Sequence, residues 1–419
     1  MSILERDMAL SWLVLAILVQ AFTVQARLFE IPEDQKHVVR NLNVKLLKAT
    51  SDKEANPSVY VGLRLSEEHN LEKENEYFQR LKPQDLCSSS LNIKDSEPKT
   101  GLIALHLMAQ KASCDDKHRI RLITCLKHHL LKEKESIVLY SKPLTSYYQY
   151  SLGILALCVN DKLIDKHFIN KIIFAEENNQ FVHGGSISID TEAMAGLTLL
   201  CLKNSNKYPR EEVIYMKKAI KSIKDKILNS QGTDGHLGNI YSTPLAVQFL
   251  LALGGQSGRE PCSKAIQALL EAVNQGKFSN PMMMSQLMPV FHRKSYLNLA
   301  NIKCDAMTDK PLSIPASPRE VLIGDKSIRV RLVVEGQNFD EVIKVPSQSS
   351  LLDILKAAQD NSNFSFKTKG SLYGPYLTTV NNIEGQWQLL TDPDIYLSEG
   401  IADYKPTDNE KIILRLSSE

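Results

Sequence analysis

Four stretches of this chain repeat one pattern: a polar or helix-capping residue, then a run of small and aliphatic residues with few charges. They cover residues 100–105, 147–157, 191–199 and 243–250. They recur at intervals of roughly 40–50 residues, the spacing of helical arrays. Inside and just after the first, Leu102, Leu105, Met108 and Ala109 return at three and four positions, the α-helical period. A helix that is apolar all round has to be surrounded by others. Between the four lie amphipathic stretches such as residues 211–228. One inner and one outer helix per repeat, running from Val38 to about Leu299, predicts an array that closes into an α/α barrel. Loops at one end of such a ring are where binding residues are expected.

The pattern then changes. Residues 305–319 carry Pro311, Pro315 and Pro318 with little periodicity, and read as a linker. Beyond it, Ile328, Val330, Leu332 and Val334 alternate with Arg329, Arg331 and Val333, the period of a half-buried strand. Residues 351–358 read as one helix with Ser349 and Ser350 available as caps. Further strands are expected near residues 376–380, 386–390 and 411–416. The predicted architecture is a multidomain α and β protein: an N-terminal α/α barrel at 27–304, the linker, and a small α+β domain rich in β-strand at 320–419.

Residues 1–26 read as a secretory signal. Residues 10–19 are almost unbrokenly apolar, and Val24-Gln25-Ala26 offers the small residues a signal peptidase selects. The run falls short of the roughly 20 residues needed to span a bilayer, and no later segment is long and apolar enough, so a secreted, extracellular monomer without membrane insertion is expected. Cleavage removes Glu5, Arg6 and Asp7 and moves the net charge from +2 to +3. That near-balance gives no basic footprint for nucleic acid. Seven cysteines in an oxidising compartment predict disulfides and leave at least one thiol over. The absence of a CxxC pair argues against structural zinc. One glycosylation sequon occurs, Asn363-Phe364-Ser365.

Catalytic constellations are missing. There is no G-x-S-x-G elbow, phosphate-cradling loop or H-E-x-x-H. His128 and His129 are adjacent on a helix and face different ways. Glu176-Glu177 reads as exposed loop charge rather than an acid/base pair. Met282-Met283-Met284 reads as gap-filling core. No enzyme is expected. The rival classes are a glycan-active α/α-toroid enzyme and a protein-interaction module of the same fold.

Six strings, spread in order over the chain, carry a resemblance. They are Asn56-Pro57-Ser58-Val59-Tyr60-Val61-Gly62-Leu63-Arg64-Leu65, Thr145-Ser146-Tyr147-Tyr148-Gln149-Tyr150, Asp190-Thr191-Glu192-Ala193-Met194-Ala195-Gly196, Gly238-Asn239-Ile240-Tyr241-Ser242-Thr243-Pro244, Gly374-Pro375-Tyr376-Leu377-Thr378 and Gly400-Ile401-Ala402-Asp403-Tyr404. Together they resemble the cobalamin-transport family of transcobalamin, intrinsic factor and haptocorrin, its transcobalamin branch most of all. The resemblance implies a carrier that holds cobalamin, a cobalt corrinoid, between two domains and delivers it through a cell-surface receptor. It implies corrin contacts from Thr145, Tyr148 and Gln149, from Asp190, from Asn239 and Ser242, and from Gln286. It implies a closing surface from Tyr376, Trp387, Gln388 and Leu389. Such a ligand is fringed with amides and asks for neutral donors and acceptors around an apolar slot. On residue type alone, Thr145, Asp190 and Ser242 are equally plain helix caps, and Trp387 equally plain core.

The chain departs from the family in places. The family's transcobalamin branch supplies a histidine to cobalt just before the Asp-Thr pair, and here that position is Ile187. Only His183, beside Gly184-Gly185, is near enough to be considered as a cobalt ligand. Leu102 stands where a family glutamine is expected. By resemblance Cys114–Cys304 and Cys158–Cys201 form bridges. Phe29 replaces a family cysteine, which leaves Cys87, Cys125 and Cys262 either free or newly paired.

Overall fold

The computed structural model describes residues 31–49, 55–82, 86–87, 99–115, 117–183, 186–255, 258–278, 280–302, 310–312, 327–347, 349–371, 374–397 and 399–417. The signal segment and most of the linker stretch lie outside them. By internal contacts the chain divides into two units, Met1–Ser313 and Ile314–Glu419.

In the first unit the helices are α1 (Lys36–Lys48), α2 (Pro57–Arg64), α3 (Leu71–Gln79), α4 (Thr100–Ser113), α5 (Arg119–Tyr140), α6 (Tyr147–Val159), α7 (Lys166–Glu177), α8 (Ile189–Asn204), α9 (Arg210–Asn229), α10 (Thr243–Leu253), α11 (Arg259–Asn274) and α12 (Pro281–Phe291). The even-numbered helices form a ring: α2 packs on α4, α4 on α6, α6 on α8, α8 on α10, α10 on α12, and α12 closes on α2. Odd-numbered helices lie outside it. Among the described residues the ring therefore has six inner helices, where the repeat pattern had exposed four. The two others, α2 and α12, are short and open on Pro57 and Pro281, and α12 carries a second proline, Pro289, in its interior, so neither shows the small-aliphatic signature.

Inner helices are buried as the all-round apolar pattern requires. In α6 every residue from Tyr150 to Val159 is buried. Small residues set the spacing: a Cβ added at Gly196 of α8 would lie 2.6 Å from the Phe249 ring of α10. Outer helices bury one stripe, as with Met216, Ala219, Ile220, Ile223 and Ile227 of α9. Neighbouring inner helices run parallel. Starts meet starts and ends meet ends around the ring: the Gly101 amide of α4 donates to Gln149 Oε1 of α6 (3.0 Å), Asn56 before α2 donates to Met282 Sδ of α12 (2.9 Å), Gly238 before α10 lies against Ile189 of α8, Arg64 of α2 donates to the Ala112 carbonyl of α4 (3.3 Å), and Cys158 of α6 is bonded to Cys201 of α8. All six starts therefore share one end of the ring.

Two small strand pairs complete the unit. A hairpin joins β2 (Val182–His183) to β3 (Ser186–Ile187), while β1 (Glu68–His69) pairs in parallel with β4 (Lys310–Pro311). The second pair puts a short strand inside the stretch read as a linker. Lys310 and Pro311 are a strand, and the Leu312 amide donates to the His69 carbonyl at 2.7 Å with its side chain buried.

The second unit holds β5 (Ser327–Val334), β6 (Phe339–Pro346), the helix α13 (Leu351–Asn361), β7 (Phe366–Ser371), β8 (Gly374–Val380), β9 (Ile383–Glu384), β10 (Trp387–Thr391), β11 (Ile395–Tyr396) and β12 (Lys411–Leu416). Its main sheet runs β11-β10-β12-β5-β6, with β12 parallel to β5 and the other pairs antiparallel. Val330, Leu332, Val334, Ile412 and Leu414 pack with Ile354 and Leu355 of α13 in one core. Ser350 and Asp353 cap α13 reciprocally. A smaller sheet runs β7-β8-β9. Strands β6 and β7 are absent from the sequence expectation. Each mixes charge into its apolar set, as Asp340, Glu341 and Lys344 do in β6, and blurs the period of two.

Candidate functional site

The expected site residues of the helical unit, Gln286 midway along α12 apart, lie at the shared end of the ring. At the start of α6, Ser146 is the cap, its hydroxyl accepting the Gln149 amide at 3.2 Å. Thr145 does not cap the helix. Its hydroxyl donates to Glu133 Oε1 at 2.6 Å, its amide donates to Glu133 Oε2 at 3.0 Å, and Thr100 of α4 donates to the same Oε1 at 2.7 Å. Glu133 comes from outer helix α5 and is fully buried. One carboxylate thus fixes two inner-helix starts. Gln149, half-buried, spends Oε1 on the Gly101 amide, which leaves its NH2 group to donate. Tyr148 is half-buried beside it.

At the next start Ser188 caps α8, accepting the Thr191 amide at 3.3 Å, so Asp190 is a first-turn residue rather than the cap. Desolvation pushes the Asp190 carboxyl up to about 6, and nearby His183 opposes the rise. In the hairpin, His183 pairs with Ser186 and Val182 with Ile187. Successive residues of a strand point to opposite sides. His183 therefore faces opposite to Ile187, and both Val182 and Ile187 are exposed.

The loop before α10 closes against this start. Gly238 has φ +75°, and a Cβ there would lie 2.7 Å from Ile189 Cγ1 and 2.8 Å from Ser242 Oγ. Only glycine lets the loop lie on α8 in this conformation. Asn239 is exposed, its Oδ1 accepting the Tyr241 and Ser242 amides at 2.8 and 2.9 Å, with its NH2 turned to neither. Ser242 stands at the N-cap position of α10, although its hydroxyl caps no helix amide. It is 1% exposed, and its hydroxyl donates to the Leu237 carbonyl (2.6 Å) while accepting the Asn239 amide (2.9 Å). Its part in this loop is to hold Asn239. Gln286 of α12 is half-buried.

In the second unit, Tyr376 is 45% exposed. Trp387, Gln388 and Leu389 follow one another on β10 and are half-buried. The Trp387 indole N–H is buried with no acceptor. Gln388 is held at both ends, Oε1 accepting the Tyr396 hydroxyl and Nε2 donating to Ser417 Oγ, each at 3.3 Å. Trp387 and Leu389 pack against the core of this unit from one face of β10, whereas Gln388 lies on the other face with exposed Tyr396.

The donor set is mostly neutral amide and hydroxyl, and the carboxylates near it are committed elsewhere. Glu176 is not loop charge, as the sequence suggested. It is buried in the last turn of α7, with Lys226 Nζ 2.9 Å from its Oε1 and 3.1 Å from Glu192 Oε1. Glu177 pairs with Lys218 on the surface at 3.0 Å. Among the described residues no three His, Cys, Asp or Glu side chains are grouped to hold a metal ion.

A family model described as eukaryotic cobalamin-binding protein matches residues 9–323. The chain belongs to this family. It is 39% identical to transcobalamin-2 of Rattus norvegicus over 409 residues, covering 92% of this chain and 94% of the relative. Against transcobalamin-2 of Homo sapiens the figure is 40% over 416 residues, with 93% and 95% covered. Cobalamin binding intrinsic factor of Homo sapiens is 30% identical over 405 residues, with 91% and 92% covered. Among solved structures, haptocorrin in complex with Cbi superposes with a TM-score of 0.72 at 24% identity, over 93% of this chain and 99% of that one. At that identity the likeness speaks to the fold: a helical N-terminal domain and a sheet-rich C-terminal one.

Within the family frame the cysteines sort themselves. Cys158–Cys201 ties α6 to α8 with Cα atoms 6.3 Å apart, and Cys87–Cys125 is a bridge at 6.1 Å. Two of the three unassigned cysteines therefore pair with each other. Cys114 is disulfide-bonded, and Cys304 lies outside the described residues. Cys262 is a free, buried thiol, pushed up to about 12 by burial. Residues that sequence reasoning missed are the supporting ones: Glu133, Ser188 and Tyr396. Glu133 gave no signal, because an outer-helix carboxylate reads as solvated. Ser188 did give one, since a serine three residues before Thr191 is an ordinary N-cap pattern.

Proposed function

We propose that this chain is a secreted carrier that captures cobalamin and delivers it to cells through a surface receptor, with no catalysis of its own. Thr145, Tyr148, Gln149, Asp190, Asn239 and Gln286 bind the corrin side chains from the helical unit. Tyr376, Trp387, Gln388 and Leu389 bind it from the sheet-rich unit. Cobalt arrives with the cargo, and His183 is the residue of the hairpin able to ligate it.

One observation carries most weight in support. The amide groups of Gln149 and Asn239 each have their oxygen engaged by backbone amides, which presents the NH2 as donor, at the same end of the ring. Trp387 adds a buried N–H without an acceptor. Leaving that buried N–H unpaired costs about 1–3 kcal/mol, a cost that a ligand fringed with carbonyl oxygens removes. Relatives named transcobalamin-2 and intrinsic factor support the same reading. Burial of Glu176 under Lys226 removes the carboxylate pair that a glycan-active enzyme of this fold needs.

An absorbance titration of the secreted protein with aquocobalamin tests it. The expected result is a stoichiometric one-to-one shift of the corrin bands and retention of cobalamin on gel filtration. Azide then reports on cobalt: resistance to azide that is lost in His183→Ala assigns the ligand to His183. No spectral change and no retention would reject the carrier and favour an interaction module.

A further inference from the structure

The main sheet of the second unit ends on one side with β11, a two-residue strand, and on the other with β6, eight residues long. The whole of β6 pairs with β5, from Phe339 opposite Val334 to Pro346 opposite Ser327. Among the described residues no strand lies on its other side. An edge of this length is a template for another strand unless something blunts it.

Which backbone groups face that edge follows from β5. The Arg331 amide donates to the Glu410 carbonyl at 2.9 Å, and the Arg329 carbonyl accepts the Asn409 amide at 2.6 Å. Both residues therefore turn their backbone groups toward β12, away from β6. Their partners on β6, Val342 and Lys344, form non-hydrogen-bonded pairs with them, and by the same alternation so does Asp340 opposite Val333. Asp340, Val342 and Lys344 consequently point their backbone N–H and C=O groups outward. None of these groups has a partner among the described residues.

The side chains of the same three residues share one face of the sheet and are exposed. Val342, at the centre, is 62% exposed. Asp340 and Lys344 flank it symmetrically with opposite charge. Arg331 holds Asp340, its Nε donating to Oδ1 at 2.7 Å and its Nη2 to Oδ2 at 2.6 Å, while Lys344 has no ion-pair partner among the described residues.

An antiparallel copy of β6 with Val342 on the twofold axis meets every one of these groups. Val342 exchanges two hydrogen bonds with Val342 of the second copy, and Asp340 and Lys344 do the same with Lys344 and Asp340 of the second copy. The side chains agree with the backbone: Asp340 faces Lys344 on both sides of the axis, Val342 faces Val342, and Glu341 falls opposite Ile343. Sliding the copies by two residues is the smallest step that keeps the hydrogen-bond phase. It either sets Glu341 against Glu341 or puts Asp340 opposite Pro346, and both ion pairs are lost either way. The charges that blunt this edge toward other strands thus select one register with itself.

We propose that β6 is the interface for a second copy of this chain, paired edge to edge about Val342 into one continuous sheet. The contact is isologous and closes on itself. One strand is a small interface, so the dimer is weak and forms only at high concentration. It revises the monomer expected from the sequence, in which β6 was not legible.

Sedimentation equilibrium of the full secreted chain tests the proposal. A monomer–dimer equilibrium with a dissociation constant on the order of 100 µM is expected. The Val342 N–H faces the free edge, so Val342→Pro takes no hydrogen bond from the β5 pairing. It removes the central pair of the dimer and is expected to weaken association about tenfold or more. Lys344→Glu turns both ion pairs into like-charge pairs, with a loss of about tenfold or more expected. Circular dichroism and thermal melting establish that each variant is folded, and if Val342→Pro is not, Lys344→Glu decides. A chain that stays monomeric up to about 1 mM overturns the proposal, as does a dimer that the folded variants leave unchanged. Cobalamin need not be present, so neither result bears on the carrier function.

Discussion

Glu133 accepts the Thr145 hydroxyl at 2.6 Å from inside the protein, and the same oxygen accepts Thr100 at 2.7 Å. An outer helix thereby fixes the relative position of two inner-helix starts. Glu133→Ala leaves two hydroxyls and the Thr145 amide without their acceptor. A loss of about 3 kcal/mol or more is expected from unpaired buried groups, read by urea denaturation. Cobalamin retention is expected to weaken as well, because Thr145 and Gln149 stand on the element that loses its anchor. Unchanged stability would show that Glu133 is not the organising group.

Gly238 joins the starts of α10 and α8. Its φ of +75° and the 2.7 Å approach of an added Cβ to Ile189 both oppose any side chain. Gly238→Ala is expected to cost about 1–3 kcal/mol in strain, while Gly276→Ala, with φ +75° but open space around it, is expected to cost less. Thermal melting of the two variants side by side separates the steric from the conformational contribution. Equal losses would mean that contact with Ile189 matters little.

Burial raises the Glu192 carboxyl to about 7, with Lys226 pulling it back in part. Its folded-state pKa therefore lies above the unfolded value, near 4.3 for glutamate. The folded protein takes up a proton that the unfolded chain does not, so this contribution is fully present below about pH 4 and is lost as pH rises through about 7. Wild type is expected to gain stability relative to Glu192→Gln between about pH 8 and pH 5. Denaturation midpoints across that range provide the check, and a relative loss on acidification would contradict the assignment.

Replacing Trp387 by the sulfur analogue β-(3-benzothienyl)alanine keeps the bicyclic ring packed and deletes only the orphaned N–H. Removing a buried donor that has no acceptor is expected to leave the fold as stable as before, or slightly more so. If cobalamin supplies the acceptor, retention is expected to fall by about tenfold, one hydrogen bond's worth. Dissociation of labelled cobalamin measures it. Unchanged retention would remove Trp387 from the binding surface.

Much of this molecule was legible before any coordinates. The all-apolar stretches at 147–157 and 191–199 became α6 and α8, because a helix with no polar face has nowhere to go but inside. The alternation of Val330, Leu332 and Val334 became β5, and residues 411–416 became β12 unchanged. Inner helices α2 and α12 escaped notice because α2 has only eight residues and α12 is interrupted by Pro289, so neither shows the small-aliphatic run. Strand β4 escaped because two residues have no period at all; only the partner strand β1 makes it a strand.

The sequence by itself determined the two-part architecture, the helical ring and the family, since these follow from periodicity, capping chemistry and shared motifs, all local in the chain. What only the tertiary structure decided are the partners across it. Glu176 looked like solvated charge until Lys226 came within 3 Å of it, and Glu133, which the sequence did not single out, met Thr145. Ser242 looked like a contact until the loop closed over it, and Cys87 found Cys125 across 38 residues. A side chain's role is set by desolvation and by the group it meets, and both depend on which distant segments packing brings together.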